Sequence, residues 1–228
     1  SSTDHLDSGF VQDQIALAKS LRVTLGTKIE HNDFSGFELQ PSVRAAWDIS
    51  RNHTLWSAIS RAARIPTRLE RDISVDVTNP AGNPVIRLLG SDDFDSEKLT
   101  AYELGYRWRA AETLHIDLSF FENHYDGLSS LELGDAFIDP SDGRTVIPIV
   151  NKNLTDGRSR GAETIVTYTP FERWRLSGSY SYQALQLAPR GRNINRGDFL
   201  EDATPRHQVA LSSYLTLPGR FEVDAHFR

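Results

Sequence analysis

Leu21-Arg22-Val23-Thr24-Leu25-Gly26-Thr27-Lys28-Ile29-Glu30 is the stretch that decides the fold. Leu21, Val23, Leu25, Thr27 and Ile29 form an apolar-leaning set, and Arg22, Thr24, Gly26, Lys28 and Glu30 form a polar one. A period of two puts the sets on opposite faces of a β-strand. The pattern returns at Leu114–Phe121, where Leu114, Ile116, Leu118 and Phe120 alternate with His115, Asp117 and Ser119, and only Phe121 departs from it. It returns again at Trp174–Gln183, with Trp174, Leu176, Gly178, Tyr180 and Tyr182 in one set. At the end of the chain Phe221, Val223, Ala225 and Phe227 alternate with Glu222, Asp224, His226 and Arg228.

Worked outward, the alternation predicts about ten strands. They fall near 9–17, 21–31, 37–49, 54–61, 98–109, 113–125, 158–169, 173–184, 205–217 and 221–228. Several exceed the usual globular strand of ~5–6 residues and match the ~9–11 residues of a tilted membrane strand. The connections alternate in size. Short turns are expected at Ala18-Lys19-Ser20, Ser50-Arg51-Asn52-His53, Ala110-Ala111-Glu112, Pro170-Phe171-Glu172 and Pro218-Gly219-Arg220. Longer links are expected at 62–97, 126–157 and 185–204, and a modest one at 32–36. Outer-membrane barrels combine short periplasmic turns with long extracellular loops. A structureless loop of such length is uncommon in a compact soluble domain. The expected fold class is therefore all-β, a transmembrane antiparallel β-barrel, present in part as about ten strands of a larger up-and-down barrel.

Trp47, Trp56, Trp108 and Trp174 all lie within a few residues of a short turn. Indole rings gather at membrane–water interfaces, so these four are the expected membrane-interface girdle, although Trp56 stands on the less apolar parity of its strand.

Composition narrows the field. The chain has 228 residues, a formal charge of −6, 39% hydrophobic residues, and neither Cys nor Met. That length fits one large all-β domain. Without Cys there is no disulfide framework, thiolate metal site or Cys nucleophile. No Lys/Arg block is long enough for a nucleic-acid footprint. The mean hydropathy of −0.43 is that of a soluble protein, yet a membrane β-barrel scores alike because only alternate residues meet lipid. No run approaches the ~18–20 apolar residues of a spanning helix. The polar opening Ser1-Ser2-Thr3-Asp4-His5 carries no apolar signal-peptide region, and together with the strand pattern it is read as a start inside a longer protein.

Five stretches carry a family resemblance. They are Leu55-Trp56-Ser57-Ala58-Ile59-Ser60-Arg61-Ala62-Ala63-Arg64-Ile65-Pro66, Leu99-Thr100-Ala101-Tyr102-Glu103-Leu104-Gly105-Tyr106-Arg107, and Asn151-Lys152-Asn153 followed by Ser159-Arg160-Gly161-Ala162-Glu163. Leu176-Ser177-Gly178-Ser179-Tyr180-Ser181-Tyr182 and Pro205-Arg206-His207-Gln208 complete the succession. In order and spacing the chain resembles the barrel of TonB-dependent outer-membrane receptors over nearly its whole length. The resemblance implies a barrel of about 22 strands with an N-terminal plug. It implies uptake of a scarce nutrient, most often a ferric siderophore and sometimes haem, cobalamin or a glycan, energised by the TonB complex. This chain shows no plug and no TonB box, and Phe227-Arg228 falls mid-strand. Residues 1–228 are thus expected to be part of such a barrel, with the plug and remaining strands outside them. No cofactor and no metal are expected. The implied partners are the TonB complex, outer-membrane lipid and lipopolysaccharide, and an iron chelate or other small ligand, with no nucleic acid. The implied location is the bacterial outer membrane.

The candidate ligand-binding residues are Arg64, Arg68, Arg71, His124 and Tyr125. Arg61, Arg64, Arg68 and Arg71 leave a strand around Pro66, and guanidinium forks suit carboxylate, catecholate and phosphate oxygens. Their more ordinary role is salt-bridging to Glu70, Asp72 or lipopolysaccharide phosphates. His124 nears the extracellular rim, where a haem-ligand role stands against a solvated imidazole. Asp92, Asp93, Asp95 and Glu97 form an acidic stretch, but without the order of a calcium loop it reads as solvated. Arg107, Asp117, Arg175, Ser179 and Gln183 are expected to face the lumen, toward a plug or water. Asp139-Pro140-Ser141-Asp142-Gly143 reads as a β-turn.

Energised nutrient import is the leading function, and no enzymatic activity is assigned. A passive porin with an inward constriction loop is one alternative. Another is an outer-membrane barrel enzyme, whose rim carboxylates and His would be mimicked by Asp92, Asp93 and His124. A soluble sugar-binding β-protein would need a second sheet over the apolar faces.

Overall fold

Ten alternating strands lie side by side in the computed structural model, which describes residues 4–77, 82–191, 194, 201, 204–219 and 221–228. Half of the expected link at 185–204, and Arg220 of the expected last turn, fall outside the described residues. The wall runs β1 (Leu6–Ala18), β2 (Leu21–Asn32), β3 (Gly36–Ser50) and β4 (His53–Arg64). A small helix α1 (Arg68–Asp72) and strands β5 (Ser74–Asp76) and β6 (Val85–Leu89) follow, and then β7 (Glu97–Ala111) and β8 (Leu114–Leu133) resume the wall. After β9 (Phe137–Ile138) come β10 (Thr145–Phe171), β11 (Trp174–Pro189), β12 (His207–Leu217) and β13 (Phe221–Phe227). The pairing order is β1-β2-β3-β4-β7-β8-β10-β11-β12-β13. Each neighbouring pair is antiparallel. The sheet does not close on itself within this chain, which is the geometry of a partial barrel.

Register converts alternation into two walls. The row Leu21, Trp47 and Leu55 continues through Tyr106 and Leu118 on one face. One residue along, Arg22, Ala46, Trp56, Gly105 and Ser119 share the other. Val43, Ile59, Leu104, Phe120, Leu211 and Val223 stand 47–56% exposed on the first face. A soluble domain does not leave so large an apolar surface open, whereas a barrel wall covers it with hydrocarbon. We call this the outer face and the polar one the inner face. Asp13, opposite Leu25, departs from the outer pattern.

The wall has no hydrophobic core of its own. Among the described residues the buried hydrophobics are Ala58, Val85, Phe94 and Val146, and the last three belong to the loops and strand extension. Packing on the inner face is local. Gly105 lies directly opposite Trp56, and a Cβ there would sit 2.1 Å from the indole ring. Gly161 opposes Phe121 in the same way, with a Cβ 2.5 Å from the ring. Phe121, which breaks the apolar alternation, thus turns inward over a glycine.

The short turns gather at one end. A register shift precedes the turns at 19–20, 51–52, 112–113 and 172–173, where a bulge adds bend and twist. At the opposite end the structure corrects two expectations. The link expected at 126–157 is largely strand: β8 runs on to Leu133 and β10 begins at Thr145. The alternation slips at shifts between Lys152 and Gly157, so no single period crosses them. Asn153 patches this irregularity, donating to the Gly127 carbonyl at 2.8 Å, and Gly127 itself takes φ +64°. The link expected at 62–97 holds α1, β5 and β6 and is not structureless.

Leu118→Arg, in the middle of the outer face, is expected to destabilise the complete barrel by about 2–4 kcal/mol. Thr167→Arg, on the inner face, should change it little. Urea unfolding in lipid vesicles measures both.

Candidate functional site

The loop end is built as a small water-phase structure on top of the wall. Pro66 stops β4, and Thr67 caps α1 in a reciprocal capping box with Glu70. The Thr67 N–H donates to Glu70 at 2.8 Å. β5 and β6 form a hairpin, and β6 runs parallel to the first part of β10, from Val85 opposite Val146 to Leu89 opposite Val150. Val85, Val146 and Phe94 are 0–1% exposed and make the apolar centre of this assembly.

Charged groups lock it. Arg87 donates to Asp76 and to Asp139, both at 2.6 Å. The Ser141 hydroxyl and N–H, then the Arg87 guanidinium, hold the Asp139 carboxyl well below the usual carboxylate range. Arg87 does the same for Asp76, and the Arg144 N–H and guanidinium do so for Asp142. The hairpin of the first loop is therefore tied by ion pairs to the turn at 139–144. That turn is the one expected at Asp139–Gly143, with Gly143 at φ +71°.

The expected ligand arginines are engaged in the same construction. Arg64 bonds Glu97 at 2.7 Å and Glu70 at 2.7 Å. Burial raises the Glu70 pKa, but Arg64 and Thr67 hold it below its ordinary value. Arg68 pairs with Asp4 at 2.5 Å. Arg71 donates to the Phe34 carbonyl at 3.0 Å and lies 5.6 Å above the Phe34 ring. Arg61 faces outward, opposite Thr100.

His124 and Tyr125 point to opposite sides. Tyr125, opposite Gly157, is on the inner face beneath the loops. It lines a recess of about 240 Å³ with Ala62, Arg64, Leu99 and Leu128. His124 shares the outer parity of Phe120, bonds Glu122 at 2.6 Å and meets the Tyr102 ring edge-on. It therefore cannot serve a ligand inside the barrel, since adjacent strand residues project to opposite faces. Among the described residues no bond joins His124 to Asp92 or Asp93, and Asp93 instead meets Lys152 at 3.3 Å. No group of three or more metal-ligating side chains occurs among the described residues.

The Trp set also divides. Trp47, Trp108 and Trp174 are on the outer face near the short turns, with Trp108 stacked on His53 and Trp174 donating to Ser213 at 3.0 Å. Trp56 is corrected: it faces inward and cannot belong to an outer girdle. Its face carries a recess of about 470 Å³ lined by Gln14, Arg22, Arg44, Trp56, Glu103 and Arg107. Here Arg22 bonds Asp48 at 2.8 Å, Thr54 donates to Asp48 at 2.9 Å, and Arg107 bonds Asp117 at 3.0 Å. Farther along the wall, Arg175 lies 4.5 Å over Tyr214. Arg44 has no ion pair among the described residues. This surface offers fixed charges of both signs to whatever occupies the lumen. Sequence reasoning missed Arg44, Glu103 and the Arg87 clamp. Arg44 was readable, because it stands on the polar parity between Val43 and Ala45, but Arg87 finds its partners only through the fold.

Comparison with known proteins agrees with this geometry. A family model described as "TonB dependent receptor-like, beta-barrel" matches residues 1–228. The iron-regulated outer membrane virulence protein of Vibrio cholerae serotype O1 is 24% identical over 188 residues, 80% of this chain and 28% of that protein. A mutant of the ferric enterobactin receptor of Pseudomonas aeruginosa superposes with TM-score 0.77 at 19% identity, over 99% of this chain and 32% of that one. The siderophore receptor PirA of Acinetobacter baumannii gives TM-score 0.74 at 15% identity, over 97% and 32%. At these identities the solved structures share the fold, and this chain spans about a third of their length or less.

Arg87→Gln is expected to open the loop assembly, read as several-fold faster protease nicking between β5 and β9 with the wall intact. Asp139, Asp76 and Asp142 favour the ionised form when folded. Their contribution is therefore complete above the ordinary carboxylate pKa of about 4 and is lost as pH falls below it. The loops should resist protease at pH of about 5 and yield only under more acid conditions. Gly105→Val should push the Trp56 indole aside at a cost of about 1–3 kcal/mol, seen in vesicle unfolding and a red-shifted Trp emission.

Proposed function

The chain belongs to the TonB-dependent receptor family as part of its outer-membrane β-barrel, and from that premise we propose that the whole protein imports a ferric siderophore or similar iron complex at the expense of TonB-delivered energy. The observation that carries the proposal is the two-faced wall: apolar residues outward, charged residues inward, and a preorganised loop assembly on the long-loop end alone. The family and the fold are those of transport receptors. On this reading residues 1–228 contribute ten barrel strands, and the plug domain and remaining strands lie elsewhere in the protein.

Within this part the roles divide by face. Arg22, Arg44, Glu103 and Arg107 stand where a plug would fill the lumen, and their mixed charge suits a polar plug surface. Tyr125 and its recess border the ligand's route past the loops. Arg64, Arg68 and Arg71 act on that route indirectly, by holding α1 and its flanks in place. The match to iron-regulated and siderophore-receptor relatives supports an iron complex as cargo.

Labelled ferric siderophores supplied to iron-starved cells test this. Uptake should require the intact gene and should vanish when TonB is removed. Accumulation that persists without TonB would favour a passive pore. Uptake that ignores iron complexes altogether would refute the cargo.

A further inference from the structure

Below the loops the inner face carries two neighbouring rows without a charge. Ser60, Ala101, Asn123, Ser159 and Leu185 form one row across five strands. One step nearer the loops the row is Ala62, Leu99, Tyr125, Gly157 and Leu187. A Cβ on Gly157 would stand 3.0 Å from Leu187, 3.2 Å from Leu128 and 3.5 Å from Tyr125. These side chains therefore gather on one face, beside the recess of about 240 Å³ that Leu99, Tyr125 and Leu128 line. The lane is made of hydrocarbon, a phenol ring and small uncharged polar groups.

Cations lie near it, but they are engaged or face elsewhere. Among the described residues of the loop assembly, Arg64, Arg68, Arg87, Arg144, Lys152 and Arg190 each hold a carboxylate. Arg71 is held by the Phe34 and Phe94 carbonyls. Arg61, Lys98, Arg158 and Arg160 stand on the outer parity. Arg44 shares the row beneath the lane with Glu103, through Ala58. Arg206 lies at the far end of that row, where its carbonyl accepts from the Gln183 N–H at 2.9 Å. The carboxylates balance the other way. Glu30 opposes Glu38 on the inner face, and only Glu30 takes a cation, Lys28. Glu132, which follows Leu128 and Ser130 on the same parity, is 7% exposed and keeps Oε1 without a partner.

We propose that the iron complex carried past these strands is electrically neutral, of the ferric hydroxamate class, and that anionic catecholate complexes are rejected. The proposal deepens, and rests on, the reading that the whole protein imports an iron complex. Three hydroxamates, each giving up one proton, neutralise a ferric ion. Three catecholates, each giving up two, leave a trianion. A trianion drawn along the lane loses water against hydrocarbon and meets no free counter-charge there. Glu38 and Glu132 beside it add repulsion. A neutral complex lays its hydrocarbon linkers on Leu99, Tyr125, Leu128 and Leu187 and loses little.

The test is calorimetric titration of the full-length receptor in detergent with two probes, a neutral ferric trihydroxamate siderophore and a trianionic ferric tris-catecholate siderophore. The hydroxamate complex should bind about tenfold more tightly, or better. Tyr125→Ala should weaken it about fivefold. Ala101→Arg places a cation in the lane, and should weaken the neutral complex while strengthening the trianion several-fold. His124→Ala, on the outer face beside Tyr125, should match the parent. Heat-modifiable migration on gels verifies that each variant is folded. Equal or tighter binding of the catecholate complex, or an Ala101→Arg receptor with unchanged preference, would overturn the charge assignment and leave iron import standing. Binding of neither complex would overturn both.

Discussion

Hydrocarbon offers no partner to a peptide N–H or C=O, so a chain crossing it must satisfy each backbone group on a neighbouring strand. The rest of this structure depends on that requirement. Continuous ladders fix register, and register fixes which side chain meets lipid and which meets the lumen. The difference between Trp56 and Trp47 is one of parity, since both lie near the same turn. His124 and Tyr125 are adjacent in sequence and sit in different environments for the same reason. Irregularities lie away from the apolar rows, as bulges beside the short turns and, toward the loop end, at Gly127 and Asn153, where water can satisfy whatever the ladder leaves open.

Above the apolar rows the chain follows other rules. The loops bury Phe94, Val85 and Val146, cap a five-residue helix, and join segments by ion pairs. Those are the devices of a small soluble domain. Arg64 shows the junction between the regimes: it ends β4, yet its guanidinium bridges Glu70 of the loop and Glu97 at the start of β7. The wall supplies a rigid base, and the loops are ordered by a buried apolar centre together with ion pairs.

The ten wall strands were legible because period-two alternation is a local signal. Leu114 to Phe120 and Leu21 to Ile29 state their faces without help from distant residues. His124 was equally readable by counting parity from Phe120, though its closeness to the rim obscured this. Thr67-x-x-Glu70 after Pro66 carried the capping signature of α1, hidden within a segment conspicuous for arginine. The extensions of β8 and β10 were not legible, because the bulge shifts parity in the middle of the run. Nor was the Arg87 clamp, since Asp76 and Asp139 reach it only after β6 has docked beside β10.

β10 is 27 residues long and keeps one neighbour or another along nearly its whole length, the register breaking at Asn153 and Leu154. Its first dozen residues, with β8 alongside for part of the way, rise beyond the apolar rows of the wall. Whatever approaches the wall from the loop end meets β8 and β10 still paired as strand. It meets a fixed surface whose shape is inherited, hydrogen bond by hydrogen bond, from the part of the sheet that lipid conceals.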